Sequence, residues 1–70
     1  MSQAGRKLIV NKLINYRTKA NLTREQLSLM IGRDNSYISK LENLKINISI
    51  DRLEEIANHL GISIEEFIKS

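Results

Sequence analysis

Few residues of this chain could do covalent or metal chemistry. Among its 70 residues it has one histidine, His59, and no cysteine, so neither a thiolate nucleophile nor a disulfide can form. No serine and acid pair is arranged around His59 as a hydrolytic triad requires, and no glycine-rich phosphate loop is present. A zinc site would need three ligands besides His59. We therefore expect no enzyme activity, no metal and no cofactor.

The charged side chains are distributed unevenly. From Met1 to Lys45 there are nine Lys and Arg against three Asp and Glu, a balance of +6. From Ile46 to Ser70 there are two against five, a balance of −3, which leaves a net charge of +3. A basic half is what a polyanionic partner requires, although solvated surface alone also produces such a split.

The length of the chain indicates a single domain, because so few residues cannot build two cores. No apolar run approaches the roughly 20 residues that a membrane-spanning helix needs, and no signal peptide is recognisable. We expect a cytoplasmic protein that does not bind a membrane. Residues 1–5 are expected to form a flexible N-terminal segment, and residues 6–70 the domain.

The elements that must position any functional side chain are predicted to be helices. Proline is absent, and apolar residues recur every three or four positions, which is the helical period. The fold class is therefore all-α. The predicted helices are Arg6–Lys19, Thr23–Gly32, Asp34–Asn43, Ser49–Leu60 and a short last helix after Ser63. The residues expected to face the core are Ile9, Leu13, Tyr16, Leu27, Ile31, Ile38, Leu41, Leu53, Ile56, Ala57, Leu60 and Phe67.

The predicted helix ends carry recognisable capping residues. Thr23 with Gln26 and Ser63 with Glu66 have the spacing of a capping box, in which a hydroxyl and a side chain three residues later satisfy two backbone amides. Other expected caps and stops are Gly32, Asp34, Ser49 and Gly61.

A short turn around Gly32 separates the second and third predicted helices. Two helices joined by a turn of three or four residues that contains glycine have helix-turn-helix geometry. Ser28, four residues before Gly32, is small enough to let the two helices approach closely. By itself the pattern also fits other tight helical hairpins.

Several segments combine into a more specific pattern. They are Tyr16-Arg17, Asn21–Leu27, Ile31-Gly32, Ser36–Asn43, Leu53–Ala57, Leu60–Ser63 and Phe67. In their order and spacing they resemble the Xre/Cro family of helix-turn-helix domains, which includes phage repressors, from about Ile9 to Ile68. The resemblance implies a five-helix, lambda-repressor-like domain that binds double-stranded DNA and regulates transcription as a repressor-like homodimer, with the third helix in the major groove. It implies no small-molecule ligand.

The resemblance also implies which residues contact bases. Asn35, Ser36 and Lys40 occupy the family's base-contacting positions, and Ser39 is a weaker candidate on the same polar face. Asparagine can form two hydrogen bonds with adenine, and lysine can donate to guanine. The alternative is that these are ordinary exposed helix positions.

A second implied set contacts phosphates. Arg24 stands at the start of the second helix, where the family often has glutamine and where a positive charge would suit a phosphate. The other candidates are Arg33, Tyr37, Asn43 and Lys45. Any one of them could instead be ordinary solvated surface.

Arg17 and Glu42 match a pair by which the family connects the ends of its first and third helices. This structural pair is expected to hold the third helix in place rather than to contact bases. The alternative is two unrelated surface charges.

The sequence departs from the family at three positions. The usual Asn-Gly after the third helix is Asn43-Leu44, so the turn lacks a residue that easily adopts a left-handed conformation. The usual proline before the fourth helix is Ile48. Asp34 replaces the common Ser or Thr cap and brings a negative charge towards DNA. We expect these departures to alter the loop after the third helix and the contacts of Asn43, but not the fold.

The alternative function is a protein-interaction module on the same fold, such as an anti-repressor or an antitoxin-like partner binder. Leu29, Met30, Leu44, Ile46 and Ile48 exceed what the predicted core needs, and a patch of such residues can form an interface. The same patch could instead be the dimer contact. A membrane-surface helix is the weakest alternative, because the core needs the apolar face of the first helix.

Overall fold

The longest helix, α1, runs from Gln3 to Lys19. The computed structural model describes residues 3–69, without the side chain of Gln3. Four shorter helices follow in this part of the chain: α2 (Arg24–Met30), α3 (Tyr37–Glu42), α4 (Ile50–His59) and α5 (Ile64–Ile68). The described residues contain no strand, and the all-α prediction is confirmed. No helix within residues 3–69 combines the length and the hydropathy that crossing a membrane requires.

The start of α1 differs from the prediction. Residues 3–5, expected within a flexible N-terminal segment, are helical, while Met1 and Ser2 lie outside the described residues. No proline interrupts this stretch, and Ala4 is the residue type with the highest helix propensity. The helical period therefore extends three residues further towards the N-terminus than Arg6.

Three helices begin at the predicted hydroxyl caps. The box at Thr23 is complete: its Oγ1 accepts the amide of Gln26 at 3.0 Å, and Gln26 Oε1 accepts the amide of Thr23 at 2.8 Å. Ser49 accepts the amide of Arg52 at 3.2 Å. Ser63 accepts the amide of Glu66 at 3.1 Å, but the returning half of this predicted box is not observed within residues 3–69.

The prediction that Asp34 caps the third helix is wrong. Its carboxylate accepts the amide of Ser36 at 2.9 Å and the hydroxyl of Ser36 at 2.6 Å. This is the turn that a short acidic side chain makes with the backbone two residues later, and it delays the start of α3 to Tyr37. The turn between α2 and α3 therefore covers residues 31–36, which is longer than expected, and Gly32 takes its left-handed position with a φ of +76°.

The end of α3 has the geometry that its sequence disfavours. Leu44 has a φ of +58°, in the left-handed region that glycine occupies most easily. Its amide donates to the carbonyl of Leu41 at 3.0 Å, and the amide of Lys45 donates to the carbonyl of Lys40 at 2.9 Å. These two bonds are those of a Schellman motif, so α3 ends like a helix with a glycine stop although a leucine fills the position.

The core lies where α1 and the four short helices meet. Phe67 of α5 is fully buried, and the centre of its ring lies 5.6 Å from the centre of the Tyr16 ring on α1. The predicted core residues Ile9, Tyr16 and Leu60 lie partly buried against this cluster. The fully buried apolar residues are Leu13, Leu27, Ile31, Ile38, Leu41, Leu53, Ile56, Ala57 and Phe67.

Candidate nucleic-acid interface

Arg17 connects α1 to α3. Its Nε donates to Oε2 of Glu42 at 2.8 Å, and its Nη2 donates to Oε1 of Glu42 at 3.3 Å. Its Nη1 donates to the carbonyl of Leu22, just before α2, at 2.8 Å. The Arg17 and Glu42 side chains are only 11% and 4% exposed. Two parallel bonds fix both the distance and the orientation of the pair, so this one arginine ties together α1, the segment before α2, and α3.

A second connection, not foreseen in the sequence, lies at the corner between α2 and α3. The fully buried Ser28 donates its hydroxyl to the carbonyl of Arg24 at 2.8 Å and accepts the amide of Ile38 at 2.9 Å. The Ile38 amide belongs to the first turn of α3, where helix amides have no partner within the helix. Ser36, at the N-cap, makes no side-chain capping bond. Ser28 therefore caps α3 from the neighbouring helix.

The four predicted base-contacting residues do not all lie on one helix. Asn35 and Ser36 lie in the turn, and Ser39 and Lys40 lie in α3. Asn35 and Lys40 are exposed, while Ser36 and Ser39 are half-buried. The hydroxyl of Ser36 is already bonded to Asp34. The exposed side chain of Lys40 has no hydrogen-bond partner among the described residues.

Asn35 has a partner that the sequence did not indicate. Its Nδ2 donates to Oε2 of Glu25, on α2, at 3.3 Å. Because a carboxylate only accepts hydrogen bonds, this contact directs the amide nitrogen towards α2. The Oδ1 atom and the second amide hydrogen stay available to an outside partner.

The predicted phosphate-contacting residues are spread along the chain from the start of α2 to just after α3. Arg24 is 55% exposed, and its Nη1 lies 3.8 Å from Oε1 of Glu42, so it shares that carboxylate with Arg17. The guanidinium of Arg33 lies over the Tyr37 ring, 5.5 Å from its centre. Lys45 is exposed after the end of α3, whereas Asn43 donates its side-chain amide to the carbonyl of Ser39 at 2.8 Å.

Two ionisable groups of this surface have shifted pKa values. The hydroxyl and the amide of Ser36, with a smaller effect of the Lys40 charge, hold the pKa of Asp34 below its ordinary value of 3.8. Burial, with a smaller effect of the Glu55 charge, raises the pKa of Tyr37 above 10.0. Asp34 therefore stays negative through the whole neutral range, beside the exposed Lys40.

The five apolar residues expected to form one surplus patch are separated in the structure. Leu29 and Met30, at the end of α2, are 58% and 44% exposed. Ile46 and Ile48 instead pack against the core, and Leu44 is half-buried. The expectation of a single five-residue patch is therefore wrong. The loop before α4 covers part of the core with Ile46 and Ile48.

Two short helices, α2 and α3, joined by a turn that contains Gly32 have the arrangement of a helix-turn-helix. The sequence matches the helix-turn-helix family over residues 13–67, most of the chain. The chain therefore belongs to the Xre/Cro-type helix-turn-helix family of DNA-binding regulators, as its sequence predicted.

Two curated proteins and one crystal structure are similar to this chain. The chain is 40% identical over 57 residues to the control protein C.MunI of a Mycoplasma species, covering 80% of this chain and 77% of that protein. It is 32% identical over 63 residues to the uncharacterized HTH-type transcriptional regulator y4dJ of Sinorhizobium fredii (strain NBRC 101917 / NGR234), covering 90% of this chain and 82% of that protein. The crystal structure of the hypothetical transcription factor NHTF from Neisseria superimposes with a TM-score of 0.84 over 91% of this chain and 74% of that one. At 23% identity, this last likeness shows the fold alone.

Proposed function

We propose that the chain is a sequence-specific, repressor-like regulator that binds double-stranded DNA as a dimer, with α3 in the major groove. The observation that carries the proposal is the division of α3 into two sides. Ile38 and Leu41 are buried, whereas the side chain of Lys40 is exposed and has no hydrogen-bond partner in the described chain. A helix held by its apolar side presents donors that the base edges of a major groove can accept.

Positive side chains on both sides of α3 support the same proposal. Arg24 and Arg33 precede α3, and Lys45 follows it. Phosphate contacts of this kind set the position of a helix in the groove, while base contacts select the sequence. Two copies on half-sites about 34 Å apart, one turn of DNA, would place two α3 helices on the same side of the duplex. Because a DNA-binding regulator must be in the same compartment as DNA, the proposal includes the cytoplasmic location expected from the sequence.

The proposal is tested by selecting duplexes from random DNA with the wild-type protein and then measuring affinities over base-substituted versions. Lys40→Ala and Asn35→Ala should each cost about 1–3 kcal/mol at one base position and relax the preference there. Arg24→Ala should weaken binding to every duplex and lower the salt slope by about one. The matched control is Lys69→Ala, which removes an exposed lysine after α5 and should leave the preference unchanged.

Two results would contradict the proposal. Selection that returned no repeated or palindromic motif would exclude sequence-specific binding by a dimer. Identical profiles of Lys40→Ala and Arg24→Ala over the substituted duplexes would show that base and phosphate contacts are not divided between these residues.

The second candidate function, binding of a protein partner, rests on the exposed pair Leu29 and Met30 at the end of α2. A titration with DNA at two salt concentrations separates the two candidates. A DNA-binding regulator loses affinity steeply with salt, whereas a purely protein-binding module shows no salt-dependent DNA binding.

A further inference from the structure

The first turns of α1 contact the loop that follows α3. Nη2 of Arg6 lies 3.4 Å from the carbonyl oxygen of Leu44 and 3.3 Å from that of Ile46, and it donates a hydrogen bond to each. The two carbonyls are 38 and 40 positions away along the chain, and the contact is partly buried. Arg6 is therefore the residue through which α1 holds the loop between α3 and α4.

This loop begins with the two backbone bonds of the Schellman motif, and Ile46 and Ile48 pack against the core, but the residue at its left-handed position is not suited to it. Leu44 occupies a left-handed conformation that is unfavourable for a leucine, and residues 43–49 contain neither glycine nor proline. Without an outside contact, leaving that conformation would lower the conformational free energy of Leu44. The carbonyl oxygens on either side of Lys45 are the ones that Arg6 binds, so Arg6 favours the strained arrangement over its alternatives.

We propose that Arg6 is a positioning residue for DNA binding: it holds the loop so that Lys45 is presented to the phosphate backbone. This inference rests on the proposed function. In this proposal Arg6 acts on the loop rather than on DNA, because its Nη2 donates to the two loop carbonyls. Its effect reaches the DNA through Lys45, which is exposed immediately after Leu44.

The test compares Arg6→Met with Lys7→Met on duplexes selected from random DNA by the wild-type protein. Lys7 is the next residue of α1. Its side chain is exposed and has no hydrogen bond in the described chain, so its removal controls for the lost charge. At about 0.1 M salt, Arg6→Met should weaken binding about eightfold on every base-substituted duplex and lower the salt slope by about one. Lys7→Met should change the affinity less than about twofold, because it removes no phosphate contact.

A double-mutant cycle with Lys45 separates positioning from stability. Lys45→Ala should cost about eightfold in the wild type but less than about twofold in Arg6→Met, where Lys45 is no longer held in place. A role in stability alone would lower the melting temperature and leave the Lys45 effect in the folded protein unchanged. If Arg6→Met does not fold, Arg6→Lys retains one donor and is measured in the same way. Leu44→Gly should restore binding in either variant, because glycine adopts the left-handed conformation without strain and the loop then no longer needs Arg6 to keep its shape.

The outcomes distinguish this inference from the proposed function. Equal affinities of Arg6→Met and Lys7→Met, or effects of Arg6 and Lys45 that simply multiply, would overturn the positioning role while leaving the DNA-binding function intact. Failure of the wild-type protein to bind any selected duplex would overturn the proposed function, and this inference with it.

Discussion

The two connections of α3 are held by different means. The turn before α3 is fixed by short bonds of 2.6–2.9 Å: Asp34 accepts two hydrogen bonds from Ser36, and the buried hydroxyl of Ser28 caps the helix. The loop after α3 contains a strained Leu44; besides its two backbone bonds to α3, it is held by two longer bonds of 3.3 and 3.4 Å from Arg6. Glu42, at the last turn of α3, is bound by Arg17 at 2.8 Å.

The difference shows how a six-residue helix can be held in place. Its start is set mostly by neighbours in sequence, within about ten positions. Its end is set by two arginines of α1, Arg6 and Arg17, from 25 to 40 positions away. A helix this short has little stability of its own, so its placement depends on these contacts. Four changes test the comparison between the two ends.

The largest effect is expected from breaking the ion pair at the end of α3. Arg17→Met or Glu42→Leu leaves the other charge with little access to water, which costs about 3–5 kcal/mol for a fully buried pair. The double variant should lose much less than the sum of the two single losses, because no unpaired charge remains. Denaturant melts of the three variants measure this coupling. Additive single losses below about 0.5 kcal/mol would show that the pair contributes little.

The next largest effect concerns the start of α3. Ser28→Ala removes the only side-chain acceptor that the described residues offer to the buried amide of Ile38, and it should cost about 1–3 kcal/mol. The matched control is Ser39→Ala, which deletes a half-buried hydroxyl with no hydrogen bond among residues 3–69 and should change stability by less than about 0.5 kcal/mol. Thermal melts compare the two. Equal losses would mean that the Ser28 bond does not hold the corner.

A smaller effect, of opposite sign, is expected after α3. Leu44→Gly removes a left-handed strain of about 1–2 kcal/mol. Glycine's greater freedom in the unfolded chain lowers the stability by about 0.5–1 kcal/mol and so offsets part of this gain. The net gain in stability should therefore lie between about 0 and about 1.5 kcal/mol. Asn21, with a φ of +59°, is the control, because asparagine tolerates this conformation better and Asn21→Gly should gain less. A larger gain at Asn21 than at Leu44 would contradict the assignment of strain.

The smallest effect is a dependence on pH at the start of α3. The pKa of Asp34 is lowered by its bonds from Ser36, so its contribution to stability is present above the ordinary pKa of 3.8 and is lost as the pH falls through the lowered value. Asp34→Asn keeps a neutral acceptor for Ser36. Its melting temperature should therefore fall less than that of the wild type between about pH 5 and about pH 2. An equal fall in both proteins would show that the Asp34 carboxylate contributes nothing to the pH dependence of stability.

The parts of the fold that depend on neighbours in sequence were predictable. Periodic apolar residues located the five helices and the core, and the hydroxyls at Thr23 and Ser49 marked two helix starts. Asp34 shows the limit of this reasoning. A short acidic side chain can cap a helix or form a turn with the residue two positions later, and both options are local, so only the three-dimensional arrangement decides between them.

The contacts that join distant residues were not predictable from spacing. Nothing in the sequence relates Arg6 to the carbonyl of Ile46, or the hydroxyl of Ser28 to the amide of Ile38. A serine inside a helix often bonds the carbonyl four residues earlier, as Ser28 does, but its second bond depends on how the helices pack. The juxtaposition of Arg17 and Glu42 was reached only through the family resemblance. The base-contacting and phosphate-contacting roles of the other site residues stay predictions.

The shortness of α3 limits how much DNA one domain can distinguish. Six residues at 1.5 Å each give a helix of about 9 Å, which is the length of about three base pairs at 3.4 Å each. Three base pairs distinguish only about 64 sequences, so one copy would meet its preferred triplet many times in any genome. Joining two copies squares that number to about 4,000, and contacts from the turn residues extend it further. In the proposed dimer, selectivity would therefore come from two short helices that contact two half-sites together.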